Sequence, residues 1–453
     1  MSTQINRQHL KELRAKEEQR FLDTHKKSAA AFEDSKKVMH EGVPMSWMAK
    51  WPGDHAVFVK SAKGAHFQDI DGNDYIDFCL GDTGSMTGHS PDATVAAITS
   101  QAGKGITAML PTEDASIVSA ELAERFGLPL WQFTVTATDA NRHVIRYCRM
   151  ITGRSKIIVI DKCYHGSVDE TFATLDASGN TIKREGNIGA PVDLAQTTRV
   201  VEFNDLAGME AALAHGDVAA ILMEPAMTNI GIVLPEDGYL VAVQDLAKKY
   251  GALLIIDETH TISVGFGGMT ADLGLKPDFF TIGKAIAGGV PVGTFGMTHA
   301  VADAIKAKVQ LEIIDTGGIG STLAGNALSL AAMRATLSQV LTKEAFTHMI
   351  ALGTRWSDGV DAAITKYGLP WHCNRLGARG EYIFAPNAPR TGQEAADGGD
   401  FELEQYIHLR LLNDGILMTP FHNMALMSPA TTEADVDAHT AIFDRICADL
   451  VAG

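Results

Sequence analysis

The chain of 453 residues is too long for one simple hydrophobic core and predicts two domains, or one large domain with a smaller one appended. Apolar residues make up 46% and charged residues 21%, the balance of an ordinary globular protein, and the net charge of −17 speaks against a broad nucleic-acid-binding surface. Five cysteines (Cys79, Cys148, Cys163, Cys373 and Cys447) with no C-x-x-C spacing argue against a disulfide framework or a zinc site. The N-terminal residues, rich in Lys, Glu and Gln, lack the apolar stretch of a secretory signal, and no run approaches the ~20 apolar residues of a membrane span. A cytoplasmic protein with no metal, no membrane partner and no nucleic-acid partner is expected.

Residues 1–40 read as polar helix, in which Leu10, Leu13, Phe21 and Leu22 are too sparse for an independent core. The basic pairs Lys26-Lys27 and Lys36-Lys37 lie among acids and read as solvated helix faces. Residues 55–60 and 65–70 have strand composition, and Asp71-Gly72-Asn73 between Ile70 and Tyr75 carries hairpin turn chemistry. From about residue 90, helix and buried strand alternate. The strand runs are 132–136, 156–160, 219–223, 252–256, 279–282 and 293–297, with helical patterns such as 238–250 between most of them. Short apolar runs separated by helices predict a mainly parallel sheet covered on both faces. After about residue 325, the helical stretches 327–340 and 342–366 lead into a mixed segment that reads as a smaller α+β domain, with 386–400 as a loop. The expected organisation is an N-terminal helical arm and part of a small domain in 1–75, a large domain in 76–325, and a C-terminal small domain in 326–453.

In parallel sheets, ligands bind at the carboxyl ends of the strands. The 252–256 run ends in Asp257-Glu258, and the 279–282 run in Gly283-Lys284-Ala285, followed by Gly288-Gly289. A buried charge is costly without a partner, so read alone the two strand ends are equally a structural ion pair or a reactive one. The 132–136 run leads through Thr136-Ala137-Thr138-Asp139-Ala140-Asn141 into a helix. Hydroxyl residues at a helix N-terminus suit a phosphate, and they also make an ordinary N-cap. The 156–160 run ends at Asp161, with Cys163-Tyr164-His165-Gly166 beyond it; Tyr164 there either stacks on a planar ligand or packs on its loop neighbours. An amine, a carboxylate, a phosphate cup and an aromatic ring are together the parts that hold pyridoxal phosphate. The amine forms the Schiff base, and the carboxylate keeps the pyridine nitrogen protonated so that the ring acts as an electron sink.

At these residues the sequence resembles the class III pyridoxal-phosphate aminotransferases of fold type I, and among them the glutamate-1-semialdehyde aminomutase branch. The resemblance runs from about Gly42 to the C-terminus. It is carried by Asp69-Ile70-Asp71-Gly72-Asn73-Asp74-Tyr75-Ile76-Asp77-Phe78, Gly88-His89-Ser90-Pro91, Tyr164-His165-Gly166, Glu224-Pro225, Asp257-Glu258, Gly283-Lys284 with Gly288-Gly289, and Ser321-Thr322-Leu323-Ala324-Gly325-Asn326. It implies a large α/β domain with a mainly parallel, seven-stranded-type sheet covered by helices, and a smaller α+β domain built from the N- and C-terminal segments. It further implies that Lys284 is the Schiff-base lysine and proton shuttle, that Asp257 pairs with the ring nitrogen, and that Tyr164 stacks on the ring. Thr136, Ala137 and Thr138 would hold the phosphate, Glu224 would belong to the cofactor site, and Thr322 would reach the phosphate of a neighbouring subunit. That last contact implies a homodimer with a shared active site.

Two departures stand out. Ala137 replaces a glycine of the family's cup, so the backbone there must accept a Cβ. After Asp257-Glu258 the family usually has an apolar residue beneath the ring; here Thr259 is expected in that place, with His260 near the phenolic oxygen.

The expected reaction is transamination between an amino acid or amine and a keto acid or aldehyde, through a pyridoxamine intermediate. Intramolecular amino transfer of the glutamate-1-semialdehyde type, or racemisation or epimerisation, uses the same lysine and aspartate. A non-catalytic homologue has no need of either residue. The aminomutase branch usually carries an arginine shortly after a Gly-Val pair, whereas here Gly42-Val43 precedes Pro44-Met45-Ser46-Trp47-Met48-Ala49-Lys50-Trp51. Trp47, with Met45 and Met48, reads as an apolar pocket wall or as core. A substrate carboxylate calls for a bidentate guanidinium, for which Arg379 is the candidate and Arg142 and His143 the alternatives.

Overall fold

Seven short runs rich in aliphatic and aromatic side chains pair into one sheet in the computed structural model, which describes residues 4–308 and 318–453. In chain order they are β1 (Leu130–Thr134), β2 (Lys156–Ile160), β3 (Thr198–Val201), β4 (Val218–Met223), β5 (Leu253–Asp257), β6 (Phe279–Ile282) and β7 (Gly293–Met297). Across the sheet the order is β1-β7-β6-β5-β4-β2-β3. The pairs from β6 to β3 are parallel, while β7 runs antiparallel to both β6 and β1. Reversing β7 alone leaves the other six strands pointing one way, so the sheet is mainly parallel.

All six residues of β4 are buried, as a strand covered on both faces requires. The core joins Val144 and Cys148 of the Ala137–Thr152 helix to Ile157–Ile160, 219–223, 254–256 and Phe279. Each aliphatic side chain withdrawn from water there contributes about 1.5–3 kcal/mol. The parallel course brings the carboxyl ends of β1, β2, β4, β5 and β6 to one edge. Gly293, which opens β7, pairs with Thr134 at that edge.

The chain folds into two compact units. The larger takes in Asp92–Phe346 with Pro389–Asp397; the smaller takes in the chain up to Pro91 with Thr347–Ala388 and Gly398–Gly453. In the smaller unit, Val59–Lys63, His66–Asp69, Asp74–Asp77 and Ile416–Leu417 form one sheet, and His372–Leu376, Arg379–Ile383 and Met424–Leu426 another. Parallel pairing of Ile416 with Ile76 ties its N-terminal and C-terminal segments together. The N-terminal helices Arg7–Thr24 and Lys26–Ser35 belong to this unit, and Phe21 docks on Phe67, Tyr75, Leu409 and Leu412.

These boundaries differ from the linear ones expected. Residues 76–91 group with the smaller unit. Residues 326–346 group with the larger, because the Ala327 N–H donates to Ile106 O (2.9 Å) and Thr336 shares a 2.9 Å hydroxyl hydrogen bond with Thr94. The expected 386–400 loop contains a short helix, Gly392–Asp397, and Arg390 Nε beside it reaches Glu236 Oε1 at 2.7 Å. The strand expected at 55–60 forms at Val59–Lys63. All five cysteines are buried and free, and among the described residues no helix is long and apolar enough to cross a membrane.

Candidate active site

The strand edge of the larger unit gathers most of the predicted side chains. After β1, Thr136 is the N-cap of the Ala137–Thr152 helix; its Oγ1 accepts the Asp139 N–H (3.2 Å) and donates to Asp139 Oδ2 (3.0 Å). The first N–H groups of a helix have no partner within it, so those of Ala137 and Thr138 remain as donors at the positive end of the dipole. Ala137 is the first helical residue, a conformation any L residue adopts, which is how its Cβ is accommodated.

Close backbone approaches shape this cup. A Cβ on Gly293 would lie 2.3 Å from the Thr136 carbonyl, and one on Gly166 would lie 2.1 Å from Thr138 Oγ1. Thr138 Oγ1 in turn accepts the Ser167 N–H at 3.1 Å. Tyr164 is 40% exposed, edge-on to Phe172 at 6.2 Å.

Asp257, the last residue of β5, is buried. Its Oδ2 lies 2.9 Å from His165 Nδ1 and accepts Asn141 Nδ2 at 2.9 Å, while Oδ1 accepts the Thr259 N–H at 3.1 Å. Thr281 fixes Asn141 by donating to its Oδ1 at 2.7 Å. Burial pushes the Asp257 carboxyl up, but His165, Thr259 and Asn141 together hold it down at about 2. Burial likewise works against the His165 cation, yet Cys163 and Asp257 raise that imidazole to about 10. Both shifts favour an imidazolium beside a carboxylate. Glu224, after β4, is pushed up to about 7 by burial, and its carboxyl accepts the Thr228 hydroxyl at 2.6 Å.

Lys284 follows β6 and stands in the left-handed region at φ 51, unusual for a residue with a side chain. Its Nζ lies 2.6 Å from His260 Nε2. Glu258 shapes the loop that carries His260: buried, it accepts from the Thr261 hydroxyl, the Met269 N–H, and both the N–H and hydroxyl of Thr270. Thr259 is buried between Asp257 and His260.

Thr136, Ala137, Thr138, Tyr164, Glu224, Asp257, Thr259, His260 and Lys284 thus all stand at or beyond strand ends of this one sheet. Thr322 lies exposed elsewhere in the same unit, in an open groove of about 490 Å³ lined by Met109, Leu110, Phe133, His143 and Phe295. The Gly320 N–H donates to His143 Nε2 at 3.4 Å, while Arg142 faces Asp169 at 3.7 Å, so both alternatives to Arg379 are engaged locally. Trp47 and Arg379 belong to the smaller unit. Trp47 is 46% exposed on the Ser46–Ala49 turn, whereas Arg379 is buried with Nη2 donating to Thr83 Oγ1. Reading the sequence leaves His165, Asn141 and Glu258 without roles, although His165 and Glu258 stand inside motifs that carry the resemblance and Asn141 ends the 136–141 segment read as the phosphate cup.

The profile of the class-III aminotransferases matches residues 47–447. The chain belongs to that family. This class III enzyme is 48% identical to a glutamate-1-semialdehyde aminomutase from Pseudomonas aeruginosa PAO1, with a TM-score of 0.97 over 98% of this chain and 99% of that one. A lysine-to-alanine variant of that protein has been solved in complex with PMP. The glutamate-1-semialdehyde 2,1-aminomutase of Bacillus subtilis is 30% identical over 95% of this chain and 99% of its own length. An omega-transaminase from Sphaerobacter thermophilus is 25% identical, with a TM-score of 0.84 over 94% of this chain and 98% of its own.

The fold is type I, and the cofactor of this class III enzyme is pyridoxal phosphate. The residues present fit it on two observations: a helix N-terminus opened by glycine contacts that a Cβ would close, and a buried carboxylate kept ionised by its neighbours. Among the described residues, no group of three or more His, Cys, Asp or Glu is arranged to hold a metal ion.

Proposed function

We propose that the enzyme moves an amino group between neighbouring carbons of one amino-carbonyl molecule, in the manner of a glutamate-1-semialdehyde aminomutase. Amino transfer itself rests on one observation: an ionised, buried Asp257 and the amine of Lys284 follow two strands that pair in parallel as neighbours. Likeness to aminomutases along nearly the whole chain supports the intramolecular form of the reaction.

When bound, pyridoxal phosphate supplies an aldehyde that joins amines as a Schiff base and a protonated ring that stabilises negative charge at the carbon losing its proton. In our reading Asp257 accepts the hydrogen bond of the ring nitrogen, and the His165 cation holds that carboxylate ionised and in place. The N–H groups of Ala137 and Thr138, with their hydroxyl neighbours, hold the phosphate; Glu224 closes the site behind Asp257. Tyr164 covers one ring face and Thr259 lies under the other. Lys284 anchors the cofactor and, once released, takes the proton from one carbon and returns it to another as general base and then acid. Thr322 reaches the phosphate of a second copy, a homodimer supported by the exposed Met109, Leu110 and Leu323 around its groove. The protein works in the cytoplasm.

A second reading, transamination between two molecules, is favoured by the absence of any arginine in residues 44–51. Glutamate 1-semialdehyde separates them. The aminomutase reading expects the enzyme, loaded with pyridoxamine phosphate, to form the 2,1-shifted isomer over many turnovers without added keto acid. Arrest after about one turnover per site, relieved by an amino acceptor or donor, supports transamination. No conversion of that compound under either condition removes the aminomutase assignment.

A further inference from the structure

His260, expected near the phenolic oxygen of the cofactor, takes no step in the amino-transfer reading, yet its Nε2 lies only 2.6 Å from Lys284 Nζ. An ammonium has three donors and no acceptor, so the imidazole that meets it at this distance presents a lone pair on Nε2. Two cations at that separation would repel strongly in a half-buried site. Both partners are held from behind. Asp257 Oδ1 fixes the Thr259 N–H, and Glu258 binds Thr261, Met269 and Thr270 on the far side of His260. Lys284 keeps a left-handed backbone, an arrangement that persists only where the surroundings enforce it.

Among the described residues, three carboxylates on the neighbouring segments are committed elsewhere or exposed. Asp257 is engaged by His165 and Asn141, Glu258 by hydroxyls and backbone N–H groups, and Asp272 on the Gly268–Asp272 helix is exposed. We infer that His260 is the proton acceptor of Lys284: an N–H bond breaks at Nζ as one forms at Nε2, leaving a neutral amine beside an imidazolium. No electrons are exchanged, and the same proton returns when the lysine next needs it. An uncharged amine is what attack on an aldehyde and removal of a carbon-bound proton both require. This inference rests on Lys284 being the cofactor lysine.

The test follows capture of pyridoxal phosphate by cofactor-free full-length protein, read as the growth of the visible band of lysine-bound cofactor across pH. His260→Gln keeps an acceptor but cannot hold a proton. It is expected to slow capture about 10²-fold at neutral pH, the lower end of general-base effects, and to recover in alkali where solvent deprotonates the lysine. Binding of pyridoxine 5′-phosphate, which lacks the aldehyde, is measured beside it, so that a lost contact of His260 with the ring lowers both alike while loss of the base slows capture further; His260→Asn reads the same step should glutamine disturb it. Capture by both variants at the wild-type rate at neutral pH overturns the proposal. Lys284→Ala separates the two levels. Loss of its band together with wild-type capture by the His260 variants removes only the role of His260, whereas a persisting band removes Lys284 as well.

Discussion

Replacing Gly166 with alanine puts a methyl group where that backbone passes the phosphate cup. The new Cβ would lie 2.1 Å from Thr138 Oγ1, 2.9 Å from Thr138 Cβ and 3.0 Å from Thr138 Cα. Turning the hydroxyl aside relieves only the first contact, so the start of the Ala137–Thr152 helix must move. The hydrogen bond from the Ser167 N–H to Thr138 Oγ1 is lost in the same step. Gly166 also stands at φ 78, where an L residue costs about 1–2 kcal/mol. A displaced Thr138 no longer meets a phosphate squarely, and a hydrogen bond to a charged group is worth about 1.5–3 kcal/mol. The dissociation constant for pyridoxal phosphate should therefore rise by between about tenfold and a hundredfold. Equilibrium titration of cofactor-free protein measures that change, and thermal unfolding measures stability. Gly179→Ala is the matched control: its φ is 80, but a Cβ there meets nothing within 4 Å. It should lose only the backbone cost of about 1–2 kcal/mol and keep cofactor affinity. If Gly166→Ala binds cofactor as tightly as Gly179→Ala, residues 136–138 do not form the cup.

Asp257→Asn should destabilise the protein by about 3–5 kcal/mol, since it leaves the His165 cation buried without its carboxylate; an unchanged urea midpoint at neutral pH would show that the pair is not charged. The pH dependence of stability follows from the same two groups. Asp257, held at about 2 from an ordinary 3.8, contributes fully above the ordinary value and loses its contribution as pH falls through about 2. His165, raised from 6.5 to about 10, contributes fully below 6.5 and loses its share as pH rises through about 10. Urea midpoints should thus be highest between these limbs, and Asp257→Asn should remove the acid limb and weaken the alkaline one, to which Cys163 also contributes; an acid limb persisting in the variant would assign it to another group. Thr136→Ala removes the helix cap and should cost about 0.5–2 kcal/mol in thermal unfolding, with no loss meaning that the cap bonds contribute nothing net.

Most of the large sheet was legible because its strands are buried on both faces. Runs such as Lys156–Ile160 and Phe279–Ile282 contain little but apolar residues, and both form at the expected positions. β3 escaped notice because Thr198-Arg199-Val200-Val201 is short and keeps an arginine, which turns back to Asp217 at 2.8 Å. The division into units was less accessible. It depends on pairings such as Ile416 with Ile76, between residues far apart in sequence with no local pattern announcing that they meet. The reversal of β7 was equally silent, because an apolar run carries no mark of its direction.

At the site, the legible residues are those whose position is costly by itself. A carboxylate and an amine at the ends of buried strands demand a reason, and that reason led to Asp257 and Lys284. Asn141 and His165 make no such demand, since each is an ordinary polar residue near a helix start or in a loop. They matter only because β1, β2 and β5 end on the same edge, which no short stretch of sequence records. Ala137 shows the same limit from the other side. Read along the chain, its Cβ intrudes where a glycine belongs. In the fold, the residue facing it is Gly283, and a Cβ there would come within 3.0 Å of the Ala137 methyl. The space for one side chain is shared between the cup and the segment leading to Lys284. A methyl at 137 is therefore tolerated because 283 has none, and Gly283→Ala would press the cup and the lysine segment against each other.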